Sequence, residues 1–433
     1  LADAEVTAEL LLRLQRDGVG FGFLPGSGRG LGDDMALAAS WLGGTIPLAV
    51  IIAGVWFAIS YFGSQAMIDL MTGARKVERK SEPDLYNLLE NLAISRGLRT
   101  PTLRVIDKEN GGKADSLNAG INLARHELFC GVDADSILER DSLQKVVKPF
   151  LRDPRVVASG GTVRVANGCD IEGGFLTRVN LPRNLWALFQ VVEYLRAFLF
   201  GRLGWSQLNA MLIISGAFGL FRRDVVIEVG GYKPKTIGED MELVVRMHRH
   251  LRAQGRDYRI EFVPDPVCWT EAPEDMQTLR NQRIRWQRGL SESLVPHMGL
   301  MFSRRGGTPG WLAFPFMVAF EWLGPIVELV GYLFMAFAWA FGLVSWEAFA
   351  IFLFVAIGLG ILLSVSGLLL EEMAFHLYPR LGQLGVLAGV IVLENLGYRQ
   401  LNSWWRLVGL WRWATQREAR WGEMKRKGLR STA

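Results

Sequence analysis

Cysteine and histidine are scarce in this chain, and their scarcity excludes several classes of protein. The 433 residues hold three cysteines, Cys130, Cys169 and Cys268, well separated and odd in number, so they form neither a disulfide framework nor a zinc spacing. All three are expected as free thiols in a segment assigned below to the cytoplasm. The five histidines, His126, His248, His250, His297 and His376, contain no H-E-x-x-H, the helical signature of zinc proteases. The glycine-rich stretch from Gly18 to Gly32 lacks the G-x-G-x-x-G register and follows no clear strand, so it reads as a linker. No repeat of fixed period is found. No charged segment followed by an apolar stretch opens the chain, and no cleavable signal is expected.

What the chain has instead is apolar length: half of its residues are hydrophobic and 15 are Trp. That is too apolar for an ordinary soluble protein of this size, and membrane spans are the natural explanation. Ala348 to Leu370 contains no charge and is long enough to cross about 30 Å of hydrocarbon as a helix. Trp311 to Trp346 carries only Glu321 and Glu328, and predicts one long span or a surface helix followed by a span. Leu381 to Leu401 is a weaker candidate, interrupted by Glu394 and Arg399, and Ile46 to Phe62 predicts a first span.

Net charge is +5, and its distribution says more than its total. Arg75, Lys76, Arg79 and Lys80 follow the first span, Arg304 and Arg305 precede the later group, and Arg412, Arg417, Arg420, Lys425, Arg426, Lys427 and Arg430 crowd the tail. Lys and Arg beside spans mark the cytoplasmic side, so the middle and the tail are both expected there. That requires an even number of crossings after residue 300. Trp404, Trp405, Trp411, Trp413 and Trp421 among the tail charges favour a membrane-interface belt over nucleic-acid binding.

Between the spans, the pattern alternates as in an α/β domain. It predicts strands at Leu103 to Ile106, Leu128 to Val132, Val156 to Val165, Phe218 to Arg222 and Tyr258 to Val263. Helices are expected over Ala114 to Ala124, Arg140 to Leu151, Asn184 to Phe200 and Glu239 to Gln254. Asp133 and Asp135 follow an apolar strand and stand at its carboxyl end, where open α/β sheets bind ligands. Carboxylates with one residue between them suit Mg²⁺ or Mn²⁺ bridging to phosphate oxygens; a loop capping the next helix is the alternative. Lys113, after two glycines, opens a helix whose N-terminus attracts phosphate, or is an ordinary surface lysine. Glu239 and Asp240 lie on a turn before a helix, offering either a base for an acceptor hydroxyl or an N-cap. Gln282, Arg285 and Trp286 fit one helical face, giving an amide and a guanidinium for phosphate and an aromatic plane for a sugar. A membrane-surface helix is the competing reading.

In order, Gly111-Gly112-Lys113-Ala114-Asp115, Asp133-Ala134-Asp135, Ser215-Gly216-Ala217-Phe218, Gly238-Glu239-Asp240 and Gln282-Arg283-Ile284-Arg285-Trp286 closely resemble the motifs of processive, membrane-integrated family 2 glycosyltransferases. These are the relatives of the cellulose, hyaluronan and poly-N-acetylglucosamine synthases, and the resemblance runs from Asp107 to Gly428. It implies a GT-A-like, Rossmann-like α/β transferase domain with transmembrane helices, acting on a UDP-sugar donor and a polysaccharide acceptor at a lipid bilayer, without nucleic acid. Asp133 and Asp135 would serve the metal and the UDP phosphates, Lys113 and Asp115 the nucleotide, and Gln282 and Arg285 the diphosphate. Asp240, beside Glu239, would be the general base. Trp286 and the segment Ser215, Gly216, Ala217 and Phe218 would meet the acceptor. The resemblance also implies a multi-pass protein of the inner (plasma) membrane with a cytoplasmic catalytic domain.

The front half departs from that family: no Pro-x-Tyr-Asn-Glu-like or Asp-Asp-Gly-Ser-like turn cradles a uridine. Residues 45–106, particularly Glu82 to Leu92, resemble instead the N-terminal part of HtpX-type membrane zinc metalloproteases. Four segments are therefore expected: a helix and linker over 1–43, a span and protease-like segment over 44–106, a partial GT-A domain over 107–300, and membrane and interfacial helices with a basic tail over 301–433. The leading reading is an inverting transferase whose donor site lacks its first strands. The alternatives are a non-catalytic membrane or polysaccharide-binding protein and, disfavoured by the missing H-E-x-x-H, a membrane protease.

Overall fold

The computed structural model describes residues 104–415 apart from 173 and 174, together with positions 51, 55, 74–76, 78, 80, 83 and 86. The N-terminal linker, nearly all of the expected first span and the tail beyond 415 lie outside the described residues. The chain divides into two units, 1–107 and 108–433. In the first, β1 (Ala74–Lys76) pairs antiparallel with β2 (Arg104–Ile106).

The second unit opens with α1 (Gly112–Leu123), β3 (Leu128–Val132), β4 (Ile137–Leu138), α2 (Ser142–Arg152) and β5 (Val156–Val165). A small hairpin follows, β6 (Asp170–Glu172) and β7 (Phe175–Arg178), and then α3 (Leu185–Tyr194). The helix expected over Asn184 to Phe200 continues past α3 as a π-helical stretch, Leu195–Arg202, a widened turn often found beside functional sites. Then come β8 (Phe218–Arg222), α4 (Glu239–Ala253), β9 (Arg259–Thr270) and α5 (Met276–Leu294).

Five strands make the main sheet, in the order β3-β8-β5-β9-β4. β8 runs antiparallel to both β3 and β5, and β5 parallel to β9, so β3, β5 and β9 share one direction. All ten residues of β5 are buried, which explains an apolar run without alternation in a strand covered on both faces. The buried cluster it belongs to includes Val146 and Phe150 of α2 and Leu243, Val244, Met247 and Leu251 of α4, the last four spaced to share one helical stripe. β9 extends well past the expected end at Val263. Pro264 and Pro266 cannot donate to a ladder, and β9 absorbs them where its pairing with β5 shifts register near Thr162, whose Oγ1 donates to Pro264 O at 2.7 Å.

Beyond α5 the apolar helices follow. Trp346–Ala374 (α6) is 29 residues long, and a run of 34 residues, Leu381–Ala414, comprises α7 (Leu381–Leu393), a π-helical turn and α8 (Arg399–Ala414). Both are long and apolar enough to cross a membrane. Pro309–Trp322 and Gly324–Ala340 pass the same test only together, bent by 49° at their junction. Phe334, Phe337, Ile351, Phe354, Leu359 and Leu362 leave their apolar side chains outside the protein, as lipid contact requires. The carboxylates of Glu321 and Glu328 instead meet the last helix: Arg406 pairs with Glu321 at 3.2 Å, and Ser403 donates to Glu328 at 2.6 Å.

Candidate functional site

The sheet's topology forces two of the sequence motifs together. Because β3 and β8 are antiparallel with Val132 opposite Phe218, the residues after β3 face the residues before β8. The Asp133 amide continues this ladder, donating to Ala217 O at 3.1 Å. Ser215, Gly216, Ala217 and Phe218 therefore run beside the Asp133-Ala134-Asp135 turn. Neither aspartate caps a helix, since the next helix, α2, has Asp141 at its N-cap position.

Lys113 is the second residue of α1, and its ammonium is the hub of the site. It lies 2.7 Å from Asp133 Oδ1 and 3.2 Å from Glu239 Oε1, and donates to Gly216 O at 3.2 Å. Burial opposes its charge, but Glu239, Asp133 and Asp240 together outweigh burial and hold its pKa above the usual lysine value. A surface lysine would have none of these neighbours.

Glu239 and Asp240 begin α4, with Gly238 at the cap position, so neither is an N-cap. Asp240 Oδ2 accepts the Gly216 amide at 2.9 Å and Oδ1 accepts the Met241 amide at 2.8 Å. Gly216 must be glycine here: a Cβ would stand 2.7 Å from Lys113 Nζ and 3.3 Å from Asp240 Oδ2. The Glu239 side chain is buried, and burial first, then the charge of Asp240, pushes its pKa up to about 7, with Lys113 offsetting only part.

Asp135 stands exposed at the turn after β3. Asp115 lies on another side of α1 from Lys113, and its carboxylate pairs with Lys108. Gln282, Arg285 and Trp286 sit on α5. At 100° per residue they fall on one stripe with Gly289, and Gly289 packs against Gly238. The motif thus lies along the face of α5 that meets the Glu239-Asp240 turn. Gln282 is buried with no partner for its Oε1 among the described residues, Arg285 is half-buried with its pKa lowered by burial, and Trp286 is exposed.

Three residues near the site carried no sequence signal of their own. Arg202, ending the π-helical stretch, rests its guanidinium 3.9 Å over the Phe198 ring; burial pulls its pKa down to about 10 against the attraction of Asp240. Tyr232 is buried, and burial followed by Asp240 and Glu239 raises its hydroxyl. Glu193 pairs with Arg283 inside the Gln282-Trp286 motif.

Residues 91–289 match the family model described as "Glycosyltransferase like family 2". This stretch is similar to a glycosyltransferase domain, and its sheet and helices are of the α/β class expected from the sequence. The chain is 33% identical over 190 residues to the poly-beta-1,6-N-acetyl-D-glucosamine synthase of Staphylococcus aureus strain COL, covering 43% of this chain and 41% of that one. It is 31% identical over 195 residues to the enzyme of the same name from Staphylococcus epidermidis, covering 44% and 42%. It thus spans about two fifths of the length of these curated relatives. Among solved structures it resembles the mannosyltransferase PcManGT from Pyrobaculum calidifontis in complex with GDP-Man and Mn²⁺, at TM-score 0.39 and 19% identity over 72% of this chain and 70% of that one. The protease resemblance of residues 45–106 gains no support from these matches.

Proposed function

We propose that the chain is a membrane-bound, inverting glycosyltransferase that moves a sugar from a UDP-sugar onto a growing polysaccharide. The observation that supports this reading best is the convergence of Lys113, Asp133, Gly216, Glu239 and Asp240 at the carboxyl edge of one sheet. A cation suited to a phosphate lies there within one residue's reach of a carboxylate suited to a hydroxyl.

In the reaction, the acceptor oxygen attacks the anomeric carbon from the face opposite the diphosphate. The new bond to the acceptor forms as the bond to the β-phosphate oxygen breaks, and the hydroxyl proton passes to Asp240. Charge building on the departing UDP is met by Lys113, with Gln282 and Arg285 on the adjoining helix face. Asp133 and Asp135 fit a hard divalent cation, since Mg²⁺ and Mn²⁺ sites of this kind take one or two carboxylates and complete their shell with phosphate oxygens and water. Among the described residues no third acidic, His or Cys ligand joins them. Such a cation would neutralise the diphosphate. Trp286 offers the acceptor sugar an aromatic face. The long apolar helices and the flanking basic residues favour a multi-pass protein of the plasma membrane with this edge in the cytoplasm.

The test is UDP release by the protein in nanodiscs from a panel of UDP-sugars, UDP-N-acetylglucosamine first given the named relatives. It is run with Mn²⁺, Mg²⁺ or chelator, and the anomeric configuration of the product is read by NMR. Release with no donor, or a retained configuration, overturns it. A binding protein without turnover is the second reading, favoured by β3 standing at the edge of the described sheet where a uridine-binding strand would pair. Calorimetry showing UDP binding without release would select it.

A further inference from the structure

Arg283 is the one charged residue inside the Gln282-Trp286 motif that no phosphate or acceptor role claims, and its surroundings are built. Its side chain is buried, and its Nη2 lies 2.5 Å from Glu193 Oε2 on α3. Glu193 is itself gripped from a third element: the Tyr398 hydroxyl donates to Oε2 at 3.2 Å and Asn402 Nδ2 donates to Oε1 at 3.4 Å. The guanidinium so fixed lies 4.5 Å from the Trp286 ring centroid. Trp286 is otherwise half-exposed, so an immobile cation on one face of the indole restricts its rotamers and leaves the other face for a ligand.

We propose that Glu193 is a positioning residue for Trp286, acting through Arg283, and that this ion pair sets the aromatic platform on which the acceptor sugar rests. The acceptor role of Trp286 belongs to the function proposed above; the positioning does not depend on it. Arg283 at i and Trp286 at i+3 are helical neighbours, so a carboxylate on α3 controls an exposed ring on α5 through one intervening side chain. Because Tyr398 and Asn402 belong to the run Leu381–Ala414, the platform is also registered to a helix able to span the membrane.

The experiment compares the full-length chain, Glu193→Gln, Trp286→Phe and the double variant in nanodiscs. With 15 Trp present, the Trp286 signal is taken as the emission difference between each protein and its Trp286→Phe counterpart. Loss of the Glu193 charge is expected to raise acrylamide quenching of that signal at least about twofold. It should also raise the acceptor KM about tenfold while the donor KM moves less than about twofold. In the Trp286→Phe background, Glu193→Gln should add nothing further. Unchanged quenching, or a penalty that adds in full to that of Trp286→Phe, overturns the proposal and leaves the ion pair a simple tie between helices. If Glu193→Gln fails to fold because it strands the Arg283 charge, the paired variant Glu193→Gln with Arg283→Met removes both charges and should show the same freed Trp286. If no donor is turned over by any protein, the function proposed above fails, and the quenching comparison still decides the positioning.

Discussion

Gly238 and Gly289 meet backbone to backbone. A Cβ added at Gly238 would stand 2.8 Å from Gly289 O, and one added at Gly289 would stand 2.9 Å from Gly238 N. Two hydrogen bonds hold the approach: Ser293 Oγ donates to Gly238 O at 3.1 Å, and the Ile237 amide donates to Glu292 Oε2 at 2.8 Å. This contact joins the two carboxylates of α4 to the helix that carries Gln282, Arg285 and Trp286, so the geometry of the site depends on the absence of two side chains.

Gly289→Ala should therefore force α5 away from the turn. An added carbon against backbone cannot be relieved by a rotamer change, and overpacking of this kind costs about 1–3 kcal/mol. Transfer should fall by at least about tenfold, since an ångström of displacement at a reacting centre has large effects. Gly120→Ala in α1, where a Cβ meets nothing within 4 Å, is the control and should be neutral or slightly stabilising. A Gly289→Ala protein with the control's melting temperature and turnover would refute the coupling.

Asp240→Asn tests the base. Asparagine keeps the shape and can still accept one of the two amides that Asp240 accepts, from Gly216 or Met241, but it cannot take a proton. Turnover should drop at least about a hundredfold, with UDP affinity little changed. Near-normal turnover would remove Asp240 from this role.

The pH dependence follows from the neighbouring carboxylate. With Glu239 pushed up to about 7 by burial and then by the charge of Asp240, its own carboxyl holds a proton below neutrality and sheds it above, so transfer should show a limb as pH passes through about 7. Glu239→Gln removes that titrating carboxyl and should abolish the limb near pH 7. An unmoved limb would assign the titration to another group.

Much of the candidate site's edge was legible because chain order and strand direction both constrain it. Leu128–Val132, Val156–Val165 and Phe218–Arg222 have the bounds expected, being apolar runs closed by charge or turn residues. Once β3 and β8 are antiparallel neighbours, Asp133 and Gly216 have nowhere to be but together. β9 was underestimated because two prolines look like an end, and only its partner strand shows that a register shift accommodates them. Arg202 and Glu193 were illegible for a different reason. Their significance lies in partners distant in the chain, and a charge in an apolar helix names no partner. The Glu321 and Glu328 carboxylates show the same limit: their partners, Arg406 and Ser403, lie about 75 or more residues further along the chain.

Glu242 is expected to make acid stability a property of α4. Burial alone would raise its pKa, but His297, Arg246 and Lys233 outweigh burial and hold it at about 2. A carboxylate depressed on folding from its ordinary value of 4.5 contributes stability that is complete above pH 4.5 and is lost as pH falls toward 2. That gap corresponds to roughly 3 kcal/mol. Glu242→Gln should melt well below the parent at pH 7, and the difference should close progressively as pH falls from 4.5 to about 2. A difference constant with pH would mean the carboxylate contributes by packing alone.

The metal prediction rests on Asp135, which stands exposed on the turn after β3. If Asp133 and Asp135 share a divalent cation with the diphosphate, Asp135→Ala should weaken UDP binding at least about tenfold in Mn²⁺ and change it little in chelator, where Lys113, Gln282 and Arg285 meet the phosphate without metal. Lys113→Ala should weaken binding under both conditions, because its charge is needed with or without metal. Asp115→Ala, whose carboxylate faces Lys108, separates a local charge effect from this one and should bind UDP like the parent. Calorimetric titration of UDP into the four proteins, with and without Mn²⁺, checks all three expectations. Equal Mn²⁺ enhancement in Asp135→Ala and the parent would show that the cation, if one is used, is held elsewhere.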